Sequence, residues 1–157
     1  MCRISLIPLL IFLFSFWSCS SIDRSSKYYE TKIDLSTNGD DIAFDKSAIQ
    51  VPFGKTILLS FINRATHDSE ITHNVAIIDL GKEKEVLDLM NDNDYEFDEA
   101  NNPFKDKKYI LATSKVLAPG KATVVEFTPK KPGLYTYICL MPGHGNMMNM
   151  KGVINVK

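Results

Sequence analysis

Apolar positions in this chain come in short blocks punctuated by turn residues. Ile33-Asp34-Leu35 alternates ahead of the turn signal Asn38-Gly39-Asp40-Asp41. Residues 42–45 and 48–51 are two further short runs, and Pro52-Phe53-Gly54-Lys55 is the next turn. Residues 56–63, Thr-Ile-Leu-Leu-Ser-Phe-Ile-Asn, are dominated by apolar and β-branched side chains and predict a strand. A polar stretch, 64–72, leads through His73-Asn74 into Val75-Ala76-Ile77-Ile78, so His73 sits where a loop enters a strand. Strand patterns return at 109–113, 123–127, 134–139 and 152–156, with Pro119-Gly120 and Lys131-Pro132-Gly133 as turns. About eight short strands with regular turn signals predict an all-β protein, a Greek-key β-sandwich.

Residues 79–108 break this rhythm. Lys82 to Met90 contains helix formers, with Val86, Leu89 and Met90 spaced to share one face. Residues 91–99 carry five acids and no base, and Lys105-Asp106-Lys107-Lys108 reverses the sign. This is a short helical excursion, too small and polar for a core of its own.

The first residues follow a different rule. Met1-Cys2-Arg3 precedes an apolar run from Ile4 to Trp17 that closes on Ser18-Cys19-Ser20-Ser21. An early charge, a short apolar core and then small residues predict an export signal over residues 1–18. A small residue directly before Cys19 resembles a bacterial lipobox. It implies acylation of Cys19, with the serine-rich segment up to residue 32 as a tether and residues 33–157 as the domain. The protein is then expected on the periplasmic side of a bacterial membrane, lipid-anchored.

Composition adds limits. The chain has 157 residues, 45% hydrophobic and 24% charged, with a net charge of -1. That length suits one domain. No basic stripe is present for nucleic acid. Removing residues 1–18 leaves 17 basic and 19 acidic side chains, a net charge of -2. Of three cysteines, Cys2 leaves with the signal and Cys19 takes the lipid, so Cys139 stands alone without a disulfide partner. A lone thiol in an oxidising compartment is a liability unless a metal occupies it.

Cys139 opens the segment Cys-Leu-Met-Pro-Gly-His-Gly-Asn-Met-Met-Asn-Met-Lys-Gly, residues 139–152. A thiol, an imidazole and several thioethers lie within one turn, and Pro142-Gly143 lets the chain reverse between Cys139 and His144. Two imidazoles and a thiolate in a plane, with a weak distant thioether, is the donor set of blue copper. The segment lacks one imidazole, and His73 stands at a strand entrance able to supply it. His67 lies in a polar loop and is expected in solvent.

Cys-Leu-Met-Pro-Gly-His, Met-Lys-Gly at 150–152 and His73-Asn74 upstream together resemble the azurin and auracyanin branch of the cupredoxins, over residues 33–157. The resemblance implies a cupredoxin-like sandwich holding one type 1 copper ion. Its equatorial ligands fall on His73, Cys139 and His144. The axial thioether falls on Met150 by the Met-Lys-Gly ending, and on Met148 by counting from the histidine; the ending favours Met150. Asn74 takes the place of an asparagine that ties the two ligand loops together, and Thr72 that of a carbonyl near the metal. The implied role is electron transfer between Cu(II) and Cu(I), not enzymatic, with redox proteins such as a cytochrome c or a respiratory-chain complex as transient partners. The four methionines at 141, 147, 148 and 150 leave a second reading, a module for copper delivery or storage.

Overall fold

The computed structural model describes residues 31–91 and 108–157. The signal over residues 1–18, Cys19 with its tether as far as residue 30, the acids at 92–99 and residues 105–107 lie outside the described residues.

Alternation of apolar and polar side chains becomes eight strands: β1 Thr31–Ser36, β2 Ala48–Val51, β3 Ile57–Ile62, β4 Ala76–Asp79, β5 Ile110–Thr113, β6 Ala122–Phe127, β7 Gly133–Ile138 and β8 Lys151–Val156. They form a three-stranded sheet ordered β1-β3-β6 and a five-stranded sheet ordered β2-β8-β7-β4-β5. Two neighbour pairs, β1 with β3 and β2 with β8, run parallel, and the other pairs run antiparallel. Such pairing needs connections that cross between sheets, as in a Greek key. The expected all-β sandwich is therefore observed.

Between the sheets lies a core built around Leu35, Ile57, Leu59, Phe61, Ile77, Tyr137 and Ile154, each at most 1% exposed. A second apolar cluster covers the outer face of the larger sheet. There Ala76, Ile78, Ile138 and Leu140 pack beneath helix α1, Glu83–Asn91, which contributes Val86. Period two explains the division: in β4, Ile77 faces the core while Ala76 and Ile78 face the helix. Both faces of β4 are covered along Ala76-Ile77-Ile78, which is why that run is apolar without alternation.

Two expectations are corrected. Residues 42–45 form no strand; they make a single bridge, Thr37 with Phe44. Local turn bonds take the backbone instead, with the Asn38 N–H donating to the Ala43 carbonyl and the Ala43 N–H to that of Asp41. Phe44 still enters the core, edge-on to Phe61 at 5.9 Å and to Tyr137 at 5.2 Å. The second correction concerns α1. Val86 is buried but Leu89 is 37% exposed. The helix docks through its first turns, with Val86 and Leu87 against the sheet and Glu83 accepting a 2.6 Å hydrogen bond from the Thr136 hydroxyl. The sheet-facing stripe thus runs through 83, 86 and 87, and Leu89 does not join it.

Candidate metal centre

His73 enters the site from an extended segment held on both sides. Its N–H donates to the Leu117 carbonyl at 3.1 Å and its carbonyl accepts from the Leu117 N–H at 2.7 Å. Two residues on, the Val75 N–H donates to the Ser114 hydroxyl at 2.9 Å. Behind this segment lies Asn63, fully buried, just past the end of β3. Its amide group donates to the carbonyls of Ile71 (2.9 Å) and Leu117 (3.0 Å), and its side-chain oxygen accepts from the Ala65 N–H (3.0 Å). Asn63 therefore binds together the β3 end, the loop before His73 and the segment facing His73.

Cys139 follows β7 directly and is fully buried. Its N–H donates to the Met150 carbonyl (3.0 Å), and the Met150 N–H to the His144 carbonyl (2.9 Å), so the loop closes on itself. Gly143, at φ 83°, makes the reversal that Pro142-Gly143 predicts. Gly145 lets the loop lie flat on β7: a Cβ there would stand 2.5 Å from the Cys139 carbonyl oxygen and 2.9 Å from the Ile138 side chain.

These elements bring His73, Cys139 and His144 together. The Cys139 sulfur lies 3.8 Å from Nδ1 of His73 and 3.6 Å from Nδ1 of His144. One ligand atom from each of the three lies within 4.8 Å of the others. A metal bound to nitrogen and sulfur at about 2.0–2.3 Å in a trigonal plane would separate the two donors by about 3.7 Å, matching these contacts. The donor set and its spacing fit copper.

Asn74 is buried between the two ligand segments. Its side-chain oxygen accepts from the Leu140 N–H at 2.7 Å and lies 3.6 Å from the Cys139 sulfur. The backbone N–H groups of Asn74 and Met141 favour the thiolate form of the sulfur. Thr72 is partly buried beside His73, and His67 is exposed and outside the cluster. Among the methionines, Met150 is 1% exposed, whereas Met148 is 57% and Met147 81% exposed.

Without a metal, burial pushes the Cys139 thiol up to about 11, against the opposing pull of those two amides. Burial, helped by the nearby His144, lowers His73 to about 4, and burial also lowers His144. The imidazoles are held neutral, ready to bind metal, and loading must expel the thiol proton. A pH dependence follows. The folded His73 resists protonation that the unfolded chain accepts near pH 6.5. Metal-free stability is therefore full above that pH and falls as pH drops towards 4, by about 3 kcal/mol in total. Denaturant midpoints of the metal-free protein at several pH values check this against His73→Gln, whose curve should be flatter. Equal slopes would refute it.

Asn63 and Ser114 escaped the sequence reading. A faint signal existed at Asn63, a polar amide closing a strongly apolar run.

The comparisons agree with this geometry. Residues 31–157 match the model of copper-binding proteins of the plastocyanin/azurin family. Auracyanin-A of Chloroflexus aurantiacus is 36% identical over 124 residues, 78% of this chain and 74% of that protein. The dithionite-reduced auracyanin of Roseiflexus castenholzii superposes with a TM-score of 0.63 at 33% identity, covering 82% of this chain and 98% of the other. Auracyanin A, a "blue" copper protein, superposes at 0.66 with 28% identity, covering 82% and 99%. The chain therefore belongs to the plastocyanin/azurin family of copper-binding proteins, with His73, Cys139 and His144 forming its type 1 copper site.

Proposed function

We propose that this chain is an exported electron carrier, held at a membrane by a lipid on Cys19 and passing single electrons between redox proteins. The observation that carries the electron-transfer part is the buried Cys139 sulfur, 3.6–3.8 Å from two imidazole nitrogens. The auracyanin relatives, one described as a "blue" copper protein, support it. Copper held there supplies a Cu(II)/Cu(I) couple.

The chain's own residues keep that site from moving. Asn74 ties the Cys139 loop to the His73 segment, and the Cys139 N–H is held by the Met150 carbonyl. A donor set that barely shifts between oxidation states has little reorganisation to overcome. His144 is the partly exposed ligand and serves as the electron port, with exposed Met147 and Met148 in the surface beside it. Weak, brief docking of a cytochrome c or a respiratory-chain complex suits such a surface. The burial of Cys139 and His73 favours this reading over copper delivery, which needs an open, labile site.

Met150 is our axial ligand. Its burial and the two backbone bonds that fix its segment beside Cys139 and His144 support it. Visible and electron-spin-resonance spectra of the Cu(II)-loaded chain test the whole proposal. We expect intense thiolate-to-copper absorption and reversible reduction, lost in Cys139→Ser. Met150→Leu should shift the spectrum and Met148→Leu leave it unchanged; the opposite pattern would move the axial role to Met148. A colourless protein that binds only Cu(I) and hands it on would support delivery instead.

A further inference from the structure

We propose that the end of the sandwich opposite the metal site lies against a membrane and binds anionic lipid headgroups, an inference that rests on the membrane-tether reading above. Strand directions define that end. β7 runs from Gly133 to the copper side at Ile138, and β4 runs from the copper side to Asp79. The turns before β3, after β4 and before β7 therefore share the far end. β1 begins there too, because Thr31 pairs with Ile57 at the start of β3. The 30 residues that precede Thr31 in the sequence join the domain at this end.

Two kinds of side chain gather there. Phe53, Leu80 and Leu134 are 46%, 51% and 46% exposed, each on one of these turns or strand starts. Lysines lie beside Leu80 and Leu134, with which Lys82 and Lys131 line one groove. Lys82 and Lys108 lie over the Tyr109 ring at 4.9 and 4.8 Å, and exposed Lys130 and Lys131 flank the start of β7. Asp79 is in the same region, and Glu85 already pairs with Lys82 at 2.5 Å. Exposed apolar tips beside ammonium groups fit the boundary of an anionic bilayer. The tips enter the acyl edge while long lysine side chains reach phosphate oxygens. Such seating turns His144 outward, towards partners in the aqueous phase.

Amine footprinting tests the assignment. The processed chain, purified from a bacterial host that exports it, is mixed with phosphatidylcholine vesicles, with or without about a third phosphatidylglycerol. Exposed lysines are then acetylated and read by mass spectrometry. On anionic vesicles, labelling of Lys108, Lys130 and Lys131 should fall several-fold relative to neutral ones, while Lys115 and Lys121 on the copper side stay unchanged. High salt should restore labelling, as should Lys130→Glu with Lys131→Glu when read at Lys108. Equal labelling on both vesicles overturns the proposal, and so does protection of Lys115 and Lys121 instead. Protection that grows with protein concentration without vesicles assigns this end to a second copy and also overturns it. Co-sedimentation with neutral vesicles reports separately on the tether. Its absence, with lysine protection intact on anionic vesicles, sinks the tether and leaves the surface standing.

Discussion

Asn63→Ala should destabilise the metal-free protein by about 3–5 kcal/mol. The substitution leaves the Ala65 N–H and the Ile71 carbonyl without the partners they have at 3.0 and 2.9 Å, and the Leu117 carbonyl with the His73 N–H alone. Ala65 and Leu117 are at least 95% buried, so water cannot readily replace the amide. Each stranded group costs about 1–3 kcal/mol, and part is recovered by relaxation. The damage reaches the metal site because Leu117 is the backbone partner of His73. Copper dissociation should therefore quicken, with weaker visible absorption per protein. Urea denaturation and metal-exchange kinetics measure both. A stability loss under about 1 kcal/mol would show that the loop holds His73 without this amide.

Gly152→Ala has a comparable expected effect for a different reason. Gly152 is paired directly across from Tyr137. A Cβ at this glycine would stand 2.2 Å from the Tyr137 ring and hydroxyl. The ring has nowhere to go. It is fully buried, flanked edge-on by Phe44 at 5.2 Å, and its hydroxyl donates to the Lys46 carbonyl. Overpacking of this kind costs about 1–3 kcal/mol, and losing the Tyr137 hydroxyl bond adds about 1 kcal/mol. Gly152→Ala combined with Tyr137→Leu should recover part of the loss, a coupling readable from a double-mutant cycle. Additive losses would show that the ring is not the obstacle. The glycine of Met-Lys-Gly thus has a physical reason: it makes room for an aromatic ring two residues before the copper cysteine.

Strands were legible because each alternates or runs apolar for four to six residues, the lengths observed. Their pairing was not. That β1 runs parallel to β3, and β2 to β8, depends on contacts between distant segments, and no local pattern encodes it. Residues 42–45 misled because apolar content says nothing about the turn bonds of Asn38 and Asp41 that capture their backbone. In α1 the spacing allowed more than one stripe, and the anchor of Glu83 on Thr136 selected it. The ligands His73, Cys139 and His144 were legible because their chemistry is rare and narrow. Asn63 was not, because its role arises only where the chain near 63, 71 and 117 converges.

The bonds that shape the site are all protein bonds: Asn74 to Leu140, Asn63 to Leu117, Cys139 to Met150 and Met150 to His144. None of them needs an ion. This bears on the order of manufacture. The polypeptide can acquire its shape first and take its metal last, as a finished part receiving an insert. Folding and metal loading are then separate events, each open to its own control.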